Sequence, residues 1–61
     1  MPFINVKMLS GRSTEQKRAL VGALTAAMVD TCGADKDGTT VVIEEYERVH
    51  WAKGGVLISD R

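Results

Sequence analysis

Residues Ser13 to Gly33 read STEQKRALVGALTAAMVDTCG, and this run decides the fold. Ser13 is a helix N-cap with Gln16 three positions later, the pairing of a capping box. Glu15 lies in the first turn, where a negative charge suits the helix dipole. Gly33 is the expected C-cap. The helix is therefore predicted from about Thr14 to Cys32. Between Ala19 and Val29 it carries no charge. Leu20, Leu24, Ala27, Met28 and Thr31 form one stripe, and Val21, Leu24, Met28 and Cys32 widen it. Ala23 and Ala26, on the other side, are small rather than charged. A helix on the outside of a monomer shows a charged face there. This one is expected to be buried on more than one side. Gly22 costs helix stability relative to alanine, and close packing against another element accounts for it.

On either side of the helix the period changes from 3.6 to two. Pro2 to Leu9 alternates, with Ile4, Val6 and Met8 on one face and Phe3, Asn5 and Lys7 on the other. That is a strand pattern, ended by Ser10-Gly11-Arg12. After the helix, Ala34 to Gly38 is a polar loop. Thr39 to Tyr46 is a second strand with a β-branched centre. Strand, helix and strand in one sheet imply a right-handed βαβ unit with parallel strands. Residues 47–61 contain Trp51 and Gly54-Gly55 and are too few for another layer. They are expected to form a small hairpin or an arm reaching onto a neighbour. The fold class is α/β (α+β), with residues 1–61 as a single domain.

A chain of 61 residues buries only about 60% of the surface its unfolded form exposes. Domains of this size are held by disulfides, metal or oligomerisation. Cys32 is the sole cysteine and His50 the sole histidine, which argues against an internal disulfide and a structural zinc site. Self-association is the expected support. Eight basic side chains balance eight acidic ones, so there is no electrostatic footprint for nucleic acid or an anionic membrane. No apolar run is long enough to span a bilayer, and the start of the chain lacks the pattern of a secretory leader. The expected setting is cytoplasmic, without nucleic-acid or membrane partners.

The most informative residue chemically is Pro2, directly behind Met1. A small residue at position two permits removal of the initiator methionine. The free prolyl amine left behind is a base and a nucleophile that no internal residue can supply. An apolar site or a neighbouring cation disfavours its ammonium form and brings its pKa toward the range useful to a base. Taken alone, Pro2 reads as a strand-edge residue without an N–H, and the rest of the chain reverses that. Arg12 in the turn after the first strand offers a bidentate carboxylate ligand, and Trp51 offers an apolar wall. Singly, Arg12 reads as a solvated loop charge and Trp51 as ordinary core or interface. Together the three suit proton transfer on a small carboxylic acid.

The chain resembles the tautomerase superfamily, and within it the short 4-oxalocrotonate tautomerase group. The resemblance rests on Met1-Pro2 before a strand, on Leu9-Ser10-Gly11-Arg12-Ser13-Thr14-Glu15-Gln16-Lys17, on Val41-Val42-Ile43-Glu44-Glu45, and on His50-Trp51-Ala52-Lys53-Gly54-Gly55-Val56-Leu57. It covers nearly the whole chain. It implies a tautomerase-type fold in which two βαβ units form a four-stranded sheet and three dimers form a homohexamer. It implies proton transfer between enol and keto forms of a 2-hydroxydienoate or 2-oxo acid, without cofactor or metal. Pro2 matches the family's general base and Arg12 its carboxylate-binding arginine. Trp51 stands where phenylalanine is usual, in the wall that keeps the amine neutral. Family sites are built from more than one subunit.

Thr40 departs from the pattern, because the best-studied members carry a second arginine there. A threonine supplies one neutral hydrogen bond and no charge, and charge-assisted bonds are roughly twice as strong. Either another cation takes over, with Lys53 the first candidate ahead of Arg48 and Arg61, or the substrate has one carboxylate rather than two. Lys53 is equally well a solvated loop charge. Relatives that hydrate or dehalogenate haloacrylates use an added acid where this chain has Lys53, so that chemistry is disfavoured. Cys32 is read as a small core residue, His50 as structural or exposed, and Glu44 and Glu45 as strand-end charges paired with lysines or arginines of neighbours. Tyr46 is read as an interface aromatic. The competing classes are a non-catalytic oligomer of the same fold and a ligand-binding module that does not turn over. Aromatic catabolism and a biosynthetic route both suit the chemistry.

Overall fold

The computed structural model describes all 61 residues. Strand β1 spans Phe3–Leu9, helix α1 spans Thr14–Cys32, and strand β2 spans Thr40–Tyr46. β1 and β2 pair in parallel, from Phe3 opposite Thr40 to Leu9 opposite Tyr46. The helix is the crossover between them. Its ends are those the capping residues specify. The Ser13 hydroxyl accepts from the Gln16 N–H at 3.1 Å, and the Gln16 side chain accepts from the Ser13 N–H at 2.9 Å. Such a cap contributes about 1 kcal/mol. Gly33 closes the helix with φ of 68°, a left-handed conformation that glycine adopts without the Cβ penalty.

The second strand starts one residue later than its sequence suggests. A short 3-10 turn at Lys36–Gly38 precedes it. Thr39 is held by that turn, its hydroxyl donating to the Asp35 carbonyl at 2.8 Å and its N–H to the Lys36 carbonyl at 3.2 Å. The rest of the chain forms the expected hairpin. Strands β3 (Ala52–Lys53) and β4 (Val56–Leu57) pair antiparallel. Gly54 and Gly55 both take positive φ, 59° and 81°, as the central pair of a tight hairpin turn requires.

Residues opposite one another on parallel strands point to the same side, and successive residues alternate. Lys17 of the helix reaches Glu45 at 2.5 Å, and Met8 shares a pocket with Leu20. The face holding Met8 and Glu45 therefore meets the helix. By alternation Ile4, Val6, Val41 and Ile43 belong to it, and all four are half-buried. From the helix they meet a stripe of half-buried residues that includes Leu20, Val21, Leu24 and Met28. The opposite sheet face has no layer over it. Phe3 there is 63% exposed.

No residue of the single chain is fully buried. Its accessible surface is 4558 Å², against about 3,900 Å² for a compact monomer of this mass. The radius of gyration is 14.5 Å, against about 10.5 Å for a compact chain of this length. The uncovered sheet face and the projecting arm are the physical reasons. Cys32 is exposed rather than in a core; at the far end of a 19-residue helix, about 28 Å long, it lies past the reach of seven-residue strands of about 23 Å. No helix is long and apolar enough to cross a membrane.

Candidate active site

Pro2 lies immediately before β1, where its missing N–H removes no ladder bond. Its carbonyl accepts from the Thr40 N–H at 3.0 Å. Pro2 and Thr40 therefore stand together at the end of the sheet where both strands begin. Thr40 pairs with Phe3, so its hydroxyl lies on the uncovered face. Met1 projects fully into solvent.

Arg12 belongs to the opposite end. Ser10 is eight steps along extended chain from Pro2, about 26 Å at 3.3 Å per residue. Ser10 is tied to the end of β2 by its N–H, which donates to the Tyr46 carbonyl at 2.9 Å. Gly11, with φ of 128°, turns the chain toward the helix. Arg12 then lines a small pocket of about 240 Å³ with Met8, Gln16, Lys17 and Leu20. Lys17 is committed to Glu45. Arg12 has no acidic partner in the chain, so its guanidinium is free to take an external carboxylate.

Trp51 is at the same end as Arg12 but on the uncovered face. It lines a second pocket, about 290 Å³, with Lys7, Tyr46, His50 and Ala52. Its ring meets that of Tyr46 edge-on, with centroids 6.1 Å apart and planes at 75°, a favourable aromatic arrangement. Its carbonyl accepts from the Ile58 N–H at 2.8 Å, tying it to the C-terminal segment. Lys53 follows in β3. Its carbonyl is held by Arg61 at 3.1 Å, while its ammonium has no acidic partner. The widest groove, about 530 Å³, runs beside the helix from Arg18 to Lys36 and contains none of the predicted residues.

Of the five predicted site residues, one chain thus brings together Pro2 with Thr40, and Trp51 with the Lys53 hairpin. Arg12 is joined to neither group.

Beside Trp51 the structure reveals a cluster that the sequence reading dispersed. Glu44 accepts from the Asn5 amide at 2.6 Å, from the Lys7 ammonium at 3.2 Å and from the Tyr46 hydroxyl. These bonds, the Tyr46 one foremost and then those of Asn5 and Lys7, hold the Glu44 carboxyl down at about 2. Lys7 is raised in turn, chiefly by its bond to Glu44 and then by its bond to Tyr46. Its ammonium also stands 5.7 Å from the centroid of the Tyr46 ring. Glu44 and Glu45 find their cations within the chain, in Lys7 and Lys17. The signal was present in the sequence. Parallel pairing sets Lys7 opposite Glu44, and alternation adds Asn5 and Tyr46 to the same face.

Residues 2–61 match the family model described as tautomerase enzyme. The chain is 47% identical over 60 residues to a 2-hydroxymuconate tautomerase of Bacillus subtilis, covering 98% of this chain and 97% of the relative. Among solved structures it is similar to YwhB, described as a homologue of 4-oxalocrotonate tautomerase. The TM-score is 0.95 and the identity 45%, over 98% of each chain. It is also similar to a chain of a heterohexamer 4-oxalocrotonate tautomerase from Chloroflexus aurantiacus J-10-fl. There the TM-score is 0.92 and the identity 35%, over 98% of this chain and 97% of that one.

Proposed function

The chain belongs to the tautomerase family, isomerases of keto–enol chemistry, and from that premise we propose that it ketonises a 2-hydroxydienoate through the amine of Pro2. The observation that carries this reading is a proline immediately before β1, directly behind a solvent-exposed methionine. Removal of Met1 frees a secondary amine. Neutral, that amine takes the proton of the substrate's 2-hydroxyl. The C2–O bond becomes a carbonyl, the electron pair moves along the diene, and the far carbon receives the proton from the ammonium. One proton moves and no electrons leave, so no redox partner is needed.

Arg12 holds the substrate carboxylate and draws charge toward it as the dienolate forms. A guanidinium without an internal acidic partner supports that role, since ion pairing would have spent its charge. Trp51 supplies the apolar wall that excludes water and favours the neutral amine. Pro2 and Arg12 are too far apart in one chain to share a substrate, so the site is built between copies. Antiparallel association of two chains along a free strand edge brings the proline end of one sheet to the arginine end of the other. Three such dimers give a homohexamer, with the subunit number of the heterohexameric relative. That assembly also covers the open sheet face and the half-buried helix. A cytoplasmic metabolic role fits the chemistry.

The first test combines intact mass with a 2-hydroxymuconate ketonisation assay on one preparation. Loss of the methionine mass accompanied by turnover is expected. A free Pro2 with no turnover of this or of monocarboxylate analogues would move the reading to a ligand-binding or structural oligomer.

A further inference from the structure

The pocket at Trp51 has an internal support that the chemistry above does not use. Trp51 follows a strand and a short 3-10 turn at Arg48–His50 and precedes the hairpin, and its own segment holds its backbone through the Ile58 N–H but not its ring. The contact that ties its ring to the sheet is Tyr46. The Tyr46 ring is half-buried and lies edge-on to the indole at 6.1 Å. Its other end is fastened, because its hydroxyl donates to Glu44. Glu44 is fixed by Asn5 and Lys7 of β1 at 2.6 and 3.2 Å. Lys7 adds a contact of 3.4 Å to the same hydroxyl. A tyrosine held by a carboxylate with two further donors across the strand pair has little freedom at χ1 or χ2. The indole is therefore set by a held neighbour on the sheet, beyond the backbone bond that its own segment makes.

We propose that Tyr46, anchored through its hydroxyl to Glu44, is a positioning residue that fixes the Trp51 indole in the wall of the substrate pocket. The inference rests on the reading of Trp51 as that wall. Its physical content is order: an indole that swings admits water, and water favours the charged form of the amine that must act as base. Substrate fit then depends on a residue that need not touch the substrate. Glu44 and Asn5 act one step further away, through Tyr46.

Trp51 is the only tryptophan in the chain, so fluorescence reports it directly. The variants are Tyr46→Phe, Tyr46→Leu, Glu44→Gln and, as reference, Trp51→Leu. Each is checked for unchanged assembly by sedimentation. Tyr46→Leu is expected to shift Trp51 emission to the red, increase acrylamide quenching and raise KM about three- to tenfold, the scale of one lost aromatic pair. It should also raise the apparent pKa on the acidic limb of the kcat/KM profile, the limb set by the amine that must be neutral. Tyr46→Phe and Glu44→Gln keep the ring and should give smaller changes in the same directions. Unchanged emission in Tyr46→Leu would overturn the proposal, as would a shifted emission with unchanged KM and pH profile. Trp51→Leu separates the two levels. If it leaves the kinetics unaltered, the wall itself is wrong and the proposal falls with it. If it impairs turnover while Tyr46→Leu is silent, the wall stands and only the positioning role is lost.

Discussion

The two ends of the β1–β2 sheet differ in how much one chain completes of its own site. Where the strands begin, Pro2 and Thr40 share a single backbone hydrogen bond and no charged side chain engages either. Where the strands end, Glu44 gathers Asn5, Lys7 and Tyr46, Trp51 packs on Tyr46, and Lys17 is paired with Glu45. One end is built and the other is bare. A base needs an apolar, sparsely bonded setting to remain neutral, whereas a recognition surface needs fixed donors. About 26 Å of extended chain lies between them, so in the proposed mechanism neither end is sufficient alone. The proposed site joins the bare end of one copy to the built end of another.

The largest expected effect is at the bare end. Pro2→Ala should lower kcat for ketonisation by about 10²- to 10⁴-fold, the usual contribution of a positioned general base. A fully active alanine variant would remove Pro2 from the chemistry. At the built end, Arg12→Ala should lower kcat/KM for acidic substrates by about ten- to a hundredfold, the range for a hydrogen bond to a charged group, with KM raised. An unchanged profile would place the carboxylate elsewhere. Thr40→Arg adds the charge that the bare end lacks. It should improve dicarboxylate substrates by up to about tenfold and leave monocarboxylates unchanged. No gain would point to a cation already in place, with Lys53 the first to replace by alanine.

The smallest effect tests the Glu44 cluster through stability. Its carboxyl is lowered from 4.5 to about 2 in the fold. A lowered acid stabilises the folded state above its unfolded value and loses that contribution as pH falls toward the folded one. The melting temperature should therefore fall more steeply between pH 4.5 and about 2 in the parent chain than in Glu44→Gln. Parallel slopes would show that the cluster contributes nothing to folding. Lys7 has the opposite sign. Raised above 10.5, it contributes below that pH and loses its contribution as alkali takes the pH through its folded value.

How much of this was legible in the sequence follows from the range of each interaction. The helix ends were, because Ser13, Gln16 and Gly33 act within a few residues of themselves. The hairpin was, because Gly54-Gly55 permits the required turn. The parallel strands followed from the alternation of Ile4, Val6 and Met8 and the β-branched run at Val41 to Ile43. Cys32 was misjudged, since helical period alone does not say where the sheet beneath the helix stops. The Lys7–Glu44 pairing was missed because it depends on register, which links residues 37 positions apart. Candidate site residues could be named, but their division between two ends of one sheet became visible only with the strands in place.

The central claim is that each site takes its base from one copy and its carboxylate-binding arginine from another. Subunit complementation tests it most directly. Pro2→Ala and Arg12→Ala proteins, each assayed alone, are mixed, dissociated and reassembled together, and ketonisation is measured against the unmixed controls. Mixed oligomers should regain activity well above either parent, because some sites then combine an intact Pro2 with an intact Arg12. Mixed oligomers, verified by mass, that remain as inactive as their parents would show that the two residues do not meet across an interface and would contradict the account.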